Sequence, residues 1–266
     1  MLSARTCWMH LAIRARSSYL HRTPPPRTTA AGTHMSTGAA AALPDRAHAV
    51  LSTALNMHAF TLYCRRFGPG YSSPAPPGSW AAREVSQRWY NGGTAVDQYI
   101  KEHFSTDVKA MRAGRYDSWQ QQPLSAVAGI VLADQFTRNM YRGTADAFAL
   151  DPKALSWAEQ LTSSGRVSDQ LPPVLRQFVV LPFMHSESLQ DQQRCVDLVT
   201  AELEASRAED PSSAATQAWA EQLQFAAAHR DVVAKWGRFP HRNALLGRQS
   251  TSEEAAGLAD GSIGKW

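Results

Sequence analysis

The apolar positions along the chain recur as a succession of amphipathic helices. From Asp45, Val50, Leu51, Ala54, Leu55, Met57, Phe60 and Leu62 follow helical spacing until FGPGYSSPAPPGS, whose glycines and prolines predict a loop. A short helix is expected over Trp80 to Tyr90, then a turn at Asn91-Gly92-Gly93. Val96, Tyr99, Ile100, Phe104, Val108 and Met111 form the apolar face of a longer helix that stops at Gly114. Pro123 suits a first helical turn, where its missing N–H costs little. Leu124, Val127, Ile130, Val131, Leu132 and Phe136 then surround the axis, as in a helix at the centre of a fold, and Gly143 is placed to end it.

A helix is predicted over Thr144 to Ser163, which Asp151-Pro152 can split because a residue before proline avoids the helical region. Pro172 and Pro173 open VLRQFVVLPFMH, in which Pro182 is expected to kink or end the segment. Ser188 and Asp191 fit a capping box for a helix over Leu189 to Ala205. Pro211 reopens the chain into a long helix reaching Trp236 and stopped by Gly237, and one more helical turn is expected around Ser252 to Ala259. No alternating run reads as a strand, and the best candidate, VVLPF, contains proline. The prediction is an all-α protein, either an irregular helical bundle or a stack of antiparallel helix pairs, with no repeat of fixed period.

With 266 residues, 44% hydrophobic and 19% charged, the chain can close one sizeable core, and residues 45–266 are read as a single helical domain. Residues 1–44 differ in kind. They carry Arg5, Arg14, Arg16, Arg22 and Arg27, no acidic residue, and Leu2, Trp8, Met9, Leu11 and Ile13 set among the arginines. This composition predicts a disordered, cleavable organelle-targeting leader, mitochondrial in the first place and plastid in the second; a start at Met35 would instead give a cytoplasmic protein. Removing the leader moves the formal charge from +4 to −1, with 22 basic against 23 acidic residues, which argues against a general nucleic-acid binder. No apolar run is long enough to span a bilayer, so a soluble protein without a membrane partner is expected. Cys64 and Cys195, left after Cys7 goes with the leader, are read as small buried apolar residues.

The candidate chemistry lies where apolar pattern gives way to dense polar sequence. On an ideal helix Asp134, Arg138 and Arg142 share an edge, with Gln135 and Asn139 beside them. A structural account makes them an Asp–Arg pair and helix-end caps; a functional one makes the arginines a fork for carboxylate or phosphate, oriented by Asp134. His185 and Glu187 lie in LPFMHSES, and His229 falls within the apolar sector of the long helix, where a satisfied core histidine is the simpler account. His229-Arg230-Asp231 lacks the companion motifs of a kinase catalytic loop. GRFPHRNALLGR gathers Arg238, His241, Arg242, Asn243 and Arg248 with no acid between Gly237 and Arg248; a basic strap ion-paired across the helices is its structural account.

DQFTRNMYRG, LPFMHSESLQDQ and WGRFPHRNALLGRQSTSEE, in this order, resemble the family catalogued as domain of unknown function 924 over roughly Phe60 to Glu254. That family is a set of mainly bacterial helical proteins regarded as tetratricopeptide-like. The resemblance implies an all-α, repeat-like shape and brings no activity, cofactor or catalytic residue with it. Members typically read LDQFPRN where Thr137 here replaces the proline, and their aromatic WFG-type start corresponds to Thr61-Leu62-Tyr63-Cys64-Arg65-Arg66-Phe67-Gly68.

The leading expectation is one pocket for a small anionic ligand, short of acidic partners, with His185, Asp134 and His241 as candidate catalytic residues. Arg138, Asn139, Arg142, Glu187, His229, Arg238 and Arg242 are its candidate ligand-binding residues. The residues point to no particular cofactor. One alternative is a hydrolase using His185, Glu187, His229 and His241 around a divalent metal, although no recognised close spacing occurs and no residue is assigned as a metal ligand. Another is a tetratricopeptide-like scaffold for a peptide, which would spread its polar groups along a groove rather than gather them at a point.

Overall fold

The computed structural model describes residues 43–54, 94–163, 165 and 167–264. The first helix beyond residue 54, the loop and short helix expected before Asn91, and residues 1–42 of the expected leader lie outside the described residues. Among the described residues there is no strand, in keeping with the all-α expectation, and no helix is long and apolar enough to cross a membrane.

Helix α1, residues 45–54, buries Ala47, Val50, Leu51 and Ala54. It is tied to α2 (Thr94–Arg112) through Arg46, whose Nε donates to Asp107 Oδ1 at 2.9 Å. Tyr116 donates its hydroxyl to the same carboxylate oxygen at 2.7 Å, which stabilises the charge of a buried acid. Of the face expected from the sequence, Val96, Ile100, Phe104, Val108 and Met111 are buried and Tyr99 is partly buried against the core.

The central helix has three parts: α3 (Pro123–Ile130), a π-helical stretch Val131–Phe136, and α4 (Thr137–Met140). Val127, Ile130, Val131, Leu132 and Phe136 are buried around its axis, as their spacing predicts, while Leu124 is only partly buried. A π turn displaces backbone bonds from α-helical register, and here side chains answer two of the carbonyls. Thr137 Oγ1 donates to Ala133 O at 2.6 Å, and an Arg138 guanidinium nitrogen donates to Asp134 O at 2.6 Å. The helix ends at Met140, before the expected stop at Gly143, whose φ of +77° turns the chain.

The predicted helix over Thr144 to Ser163 is split where Pro152 allows, into a 3₁₀ turn Ala145–Phe148 and α5 (Asp151–Ser163). Helix α5 crosses α3 at Gly129, where a Cβ would lie 1.9 Å from a ring carbon of Trp157. After α6 (Val167–Gln170), α7 (Pro173–His185) runs on through Pro182 for nearly one turn, so proline does not end the segment at that point. The loss of a single donor close to a C-terminus is tolerated there, and buried Gln192 donates to the terminal carbonyls of Met184 and Ser186, each at 2.7 Å.

Helices α8 (Leu189–Glu209) and α9 (Ala214–Trp236) pack as an antiparallel hairpin. Ser188 caps α8 through Asp191 N, and Gly237, left-handed at φ +68°, closes α9. Helix α8 extends past the expected end at Ala205. A 3₁₀ turn Pro240–Arg242 and α10 (Ser252–Asp260) complete the described chain, α10 opening on a capping box of Thr251 and Glu254. This order brings the end of α7, the π turn, the start of α5 and the 240–242 turn to one place.

Candidate functional site

Asp134 is fully buried on the π turn, and its carboxylate is saturated by neighbours. Oδ1 accepts from His185 Nδ1 at 2.7 Å and lies 3.1 Å from Arg138, while Oδ2 accepts from Gln135 Nε2 at 2.5 Å. Burial alone would raise the acid's pKa; the Arg138 charge and the His185 contact outweigh it and hold the carboxyl well below the usual range. An ionised carboxylate only accepts, so His185 Nδ1 carries the proton and Nε2 is the ring's acceptor nitrogen. Burial, reinforced by the positive charges of Arg138 and Arg242 against the pull of Asp134, lowers the His185 pKa and keeps the ring neutral.

Arg138 forms a forked pair with Asp151, its two terminal nitrogens each 2.9 Å from a carboxylate oxygen. Asp151 opens α5, and its other cationic neighbour is Arg242, 3.7 Å away. Burial, opposed by Arg138 and reinforced by the Asp134 carboxylate, pushes the Asp151 pKa up.

Arg242 is held differently from the other arginines. Its side chain is only 8% exposed, NH1 donates to His185 O at 3.0 Å, and buried Nε has no hydrogen-bond partner. The guanidinium carbon lies 4.7 Å from the Phe148 ring centre and 4.5 Å from that of Phe239, apolar neighbours that favour the cation but cannot replace an anion. Desolvation and repulsion by Arg138 bring its pKa down to about 10.

Two further histidines border this group through ring contacts. His229 lies with its ring centre 6.4 Å from that of His185 and 5.7 Å from that of Phe239, and His241 lies 5.6 Å from Phe239. His229 donates from Nδ1 to Phe225 O at 2.8 Å, the bond a buried histidine needs. Burial, then the charges of neighbouring cationic groups including Arg242, lowers the His229 pKa to about 3 and the His241 pKa to about 4. With three neutral histidines, Asp134, Asp151, Arg138 and Arg242 leave the centre without net charge.

Asp134, Arg138, His185 and Arg242 therefore converge, with His229 and His241 linked to them through aromatic rings. The remaining candidates have other hydrogen-bond partners, although the Glu187 charge still acts on Arg242 and His241. The helix stops before Arg142, so the ideal edge is not continued; Arg142 forms a fork with Asp97 at 2.8 and 3.0 Å, and Asn139 donates to Asp97 at 2.9 Å. Arg238 pairs with buried Glu254 through two bonds of 2.7 Å, and Glu187 pairs with Arg248 at 2.6 and 2.9 Å while accepting from Phe239 N. The Arg238 contact is the first cause holding Glu254 down at about 2.

The expectation that the arginines are short of acids is thus corrected: Asp97, Asp151, Glu187 and Glu254 come from elements distant in sequence. Buried Nε atoms without a hydrogen-bond partner occur at both Arg242 and Arg248, but Arg248 has a carboxylate forked onto it whereas Arg242 does not. Nor do the proposed metal-binding residues assemble: among the described residues no group of three or more His, Cys, Asp or Glu side chains has the geometry to hold an ion. Sequence reading passed over Asp151, Phe148 and Phe239. The available signal for Asp151 is that Asp151-Pro152 can split the predicted helix over Thr144 to Ser163, which makes Asp151 an acid at the start of the second part.

A sequence model of the family described as "Bacterial protein of unknown function (DUF924)" matches residues 75–262. No curated protein matches the chain. Among solved structures, a protein of unknown function from Agrobacterium tumefaciens, ATU0120, is similar with a TM-score of 0.56 and 33% identity, over 65% of this chain and 89% of that one.

Proposed function

The chain belongs to the DUF924 family of proteins of unknown function, and from that premise we propose that it binds a small carboxylate- or phosphate-bearing ligand at Arg242, with His185 placed to exchange a proton with it. The observation that carries this reading is the unmatched Nε of a nearly buried guanidinium beside a histidine whose tautomer is set by Asp134. A buried charge without a full set of partners is costly, and an anion would complete it. A neutral imidazole anchored by a carboxylate is also the arrangement used in general acid–base catalysis, where Nε2 takes or returns a proton. Asp134 acts here as a positioning residue. The gathering of these groups at one point favours a ligand site over the spread expected of a peptide scaffold.

Thermal-shift and calorimetric titration of the full chain with acetate and inorganic phosphate tests the reading. Binding of at least one of the two anions is expected for the native protein, to be lost in Arg242→Ala, and to persist in Arg142→Ala, whose guanidinium is matched by Asp97. Equal binding by all three proteins would place the anion elsewhere, and no binding by the native protein would end the proposal.

A further inference from the structure

We infer that Asp151 sets the charge specificity of this site, restricting it to singly charged anions such as carboxylates and turning away doubly charged ones. The inference rests on the anion-binding reading and deepens it. Asp151 is already forked onto Arg138 and stands 3.7 Å from Arg242, so it occupies the position of a resident counter-ion between the two guanidinium groups. Both terminal nitrogens of Arg138 are engaged, since NH1 also serves the Asp134 carboxylate and carbonyl. What remains for a ligand is Arg242, whose NH1 is taken by His185 O.

An incoming anion therefore meets one incompletely matched cation and three fixed carboxylates whose charges act on it, Asp151, Glu187 and Asp134. A single negative charge lodged at Arg242 completes that cation. A second would face Asp151 across a desolvated centre with no further cation to receive it, and like charges brought together under those conditions repel strongly. The histidines do not supply the missing charge at neutral pH, because burial and the nearby arginines keep them unprotonated. Of these carboxylates, Asp134 is locked by His185, Gln135 and Arg138, and Glu187 by Arg248 and Phe239 N, whereas Asp151 lies against Arg242 itself and is the one whose charge competes with the ligand.

Titration of the full chain with acetate, methanesulfonate and sulfate at one pH and ionic strength separates charge from shape, since the last two are both tetrahedral. The native protein is expected to bind both monoanions at least about tenfold more tightly than sulfate. Asp151→Asn, which keeps the size and removes the charge, is expected to raise sulfate affinity selectively and bring that ratio to within about threefold. Sulfate binding as tightly as methanesulfonate to the native protein overturns the inference, whether or not the variant folds. So does an unchanged ratio in Asp151→Asn. If none of the three anions binds the native protein, it is the anion site itself that fails, a result distinct from binding without charge preference.

Discussion

At the scale of single residues, the arginines of this protein divide by what surrounds them. Arg138 and Arg142 sit four apart in sequence and both meet carboxylates, yet Asp134 is 1% exposed at its side chain whereas Arg142 is 43% exposed. Removing a partner from a buried pair leaves a charge uncompensated; removing one from an exposed pair leaves it to water. Asp134→Ala is therefore expected to cost about 3 kcal/mol of stability, toward the low end for buried pairs because Asp151 still holds Arg138. Arg142→Ala is expected to cost less than about 1 kcal/mol. Urea denaturation midpoints compare the two, and equal losses would contradict this account of their burial.

Elements show where backbone and side chains must agree. Gly129 lets α3 and α5 approach until Trp157 fills the space a Cβ would take. Gly129→Ala should destabilise by about 1–3 kcal/mol or more, since the ring cannot move without disturbing the core, despite alanine's better helix propensity. A thermal melt showing stabilisation would mean that the crossing is looser than described. Within the π turn, Thr137→Val removes the hydroxyl that serves Ala133 O and should cost about 1–3 kcal/mol, whereas Thr137→Ser keeps the bond and should cost less. Denaturation of the two variants side by side checks it.

Across the whole molecule the buried histidines couple folding to pH. His229 and His241 fall from an ordinary 6.5 to about 3 and about 4, so between pH 6.5 and pH 4 the unfolded chain binds protons that the folded one refuses. Their neutral burial is tolerated in full above pH 6.5, and stability is expected to decline as pH falls from there toward 4. Asp134 adds a further loss only at lower pH, where its depressed carboxyl finally protonates. Urea midpoints at pH 7, 6 and 5 should fall in that order, and His229→Leu should flatten the fall. A profile without slope across that window would show that the histidines protonate as readily in the folded protein as in the unfolded chain.

Periodicity and punctuating residues determined the order of the main helices in the described chain, the burial of residues such as Val127, Leu132 and Phe136, and the stop at Gly237, but not α6, the π turn or the continuation through Pro182, because helix formation and amphipathic burial depend on neighbours within a few residues while these exceptions depend on packing. The meeting of Asp134 with His185 could be proposed from the sequence, since both stand where apolar runs turn polar. Only the tertiary structure decided which acid matches which arginine: Asp97 for Arg142, Asp151 for Arg138, Glu187 for Arg248 and Glu254 for Arg238. Charge pairing depends on distances through space between elements far apart along the chain, and a one-residue change in register, such as the π turn before Arg138, redirects the side chains that follow. The same physics leaves Arg242 incompletely matched, a property of the assembled helices that no local stretch of sequence carries.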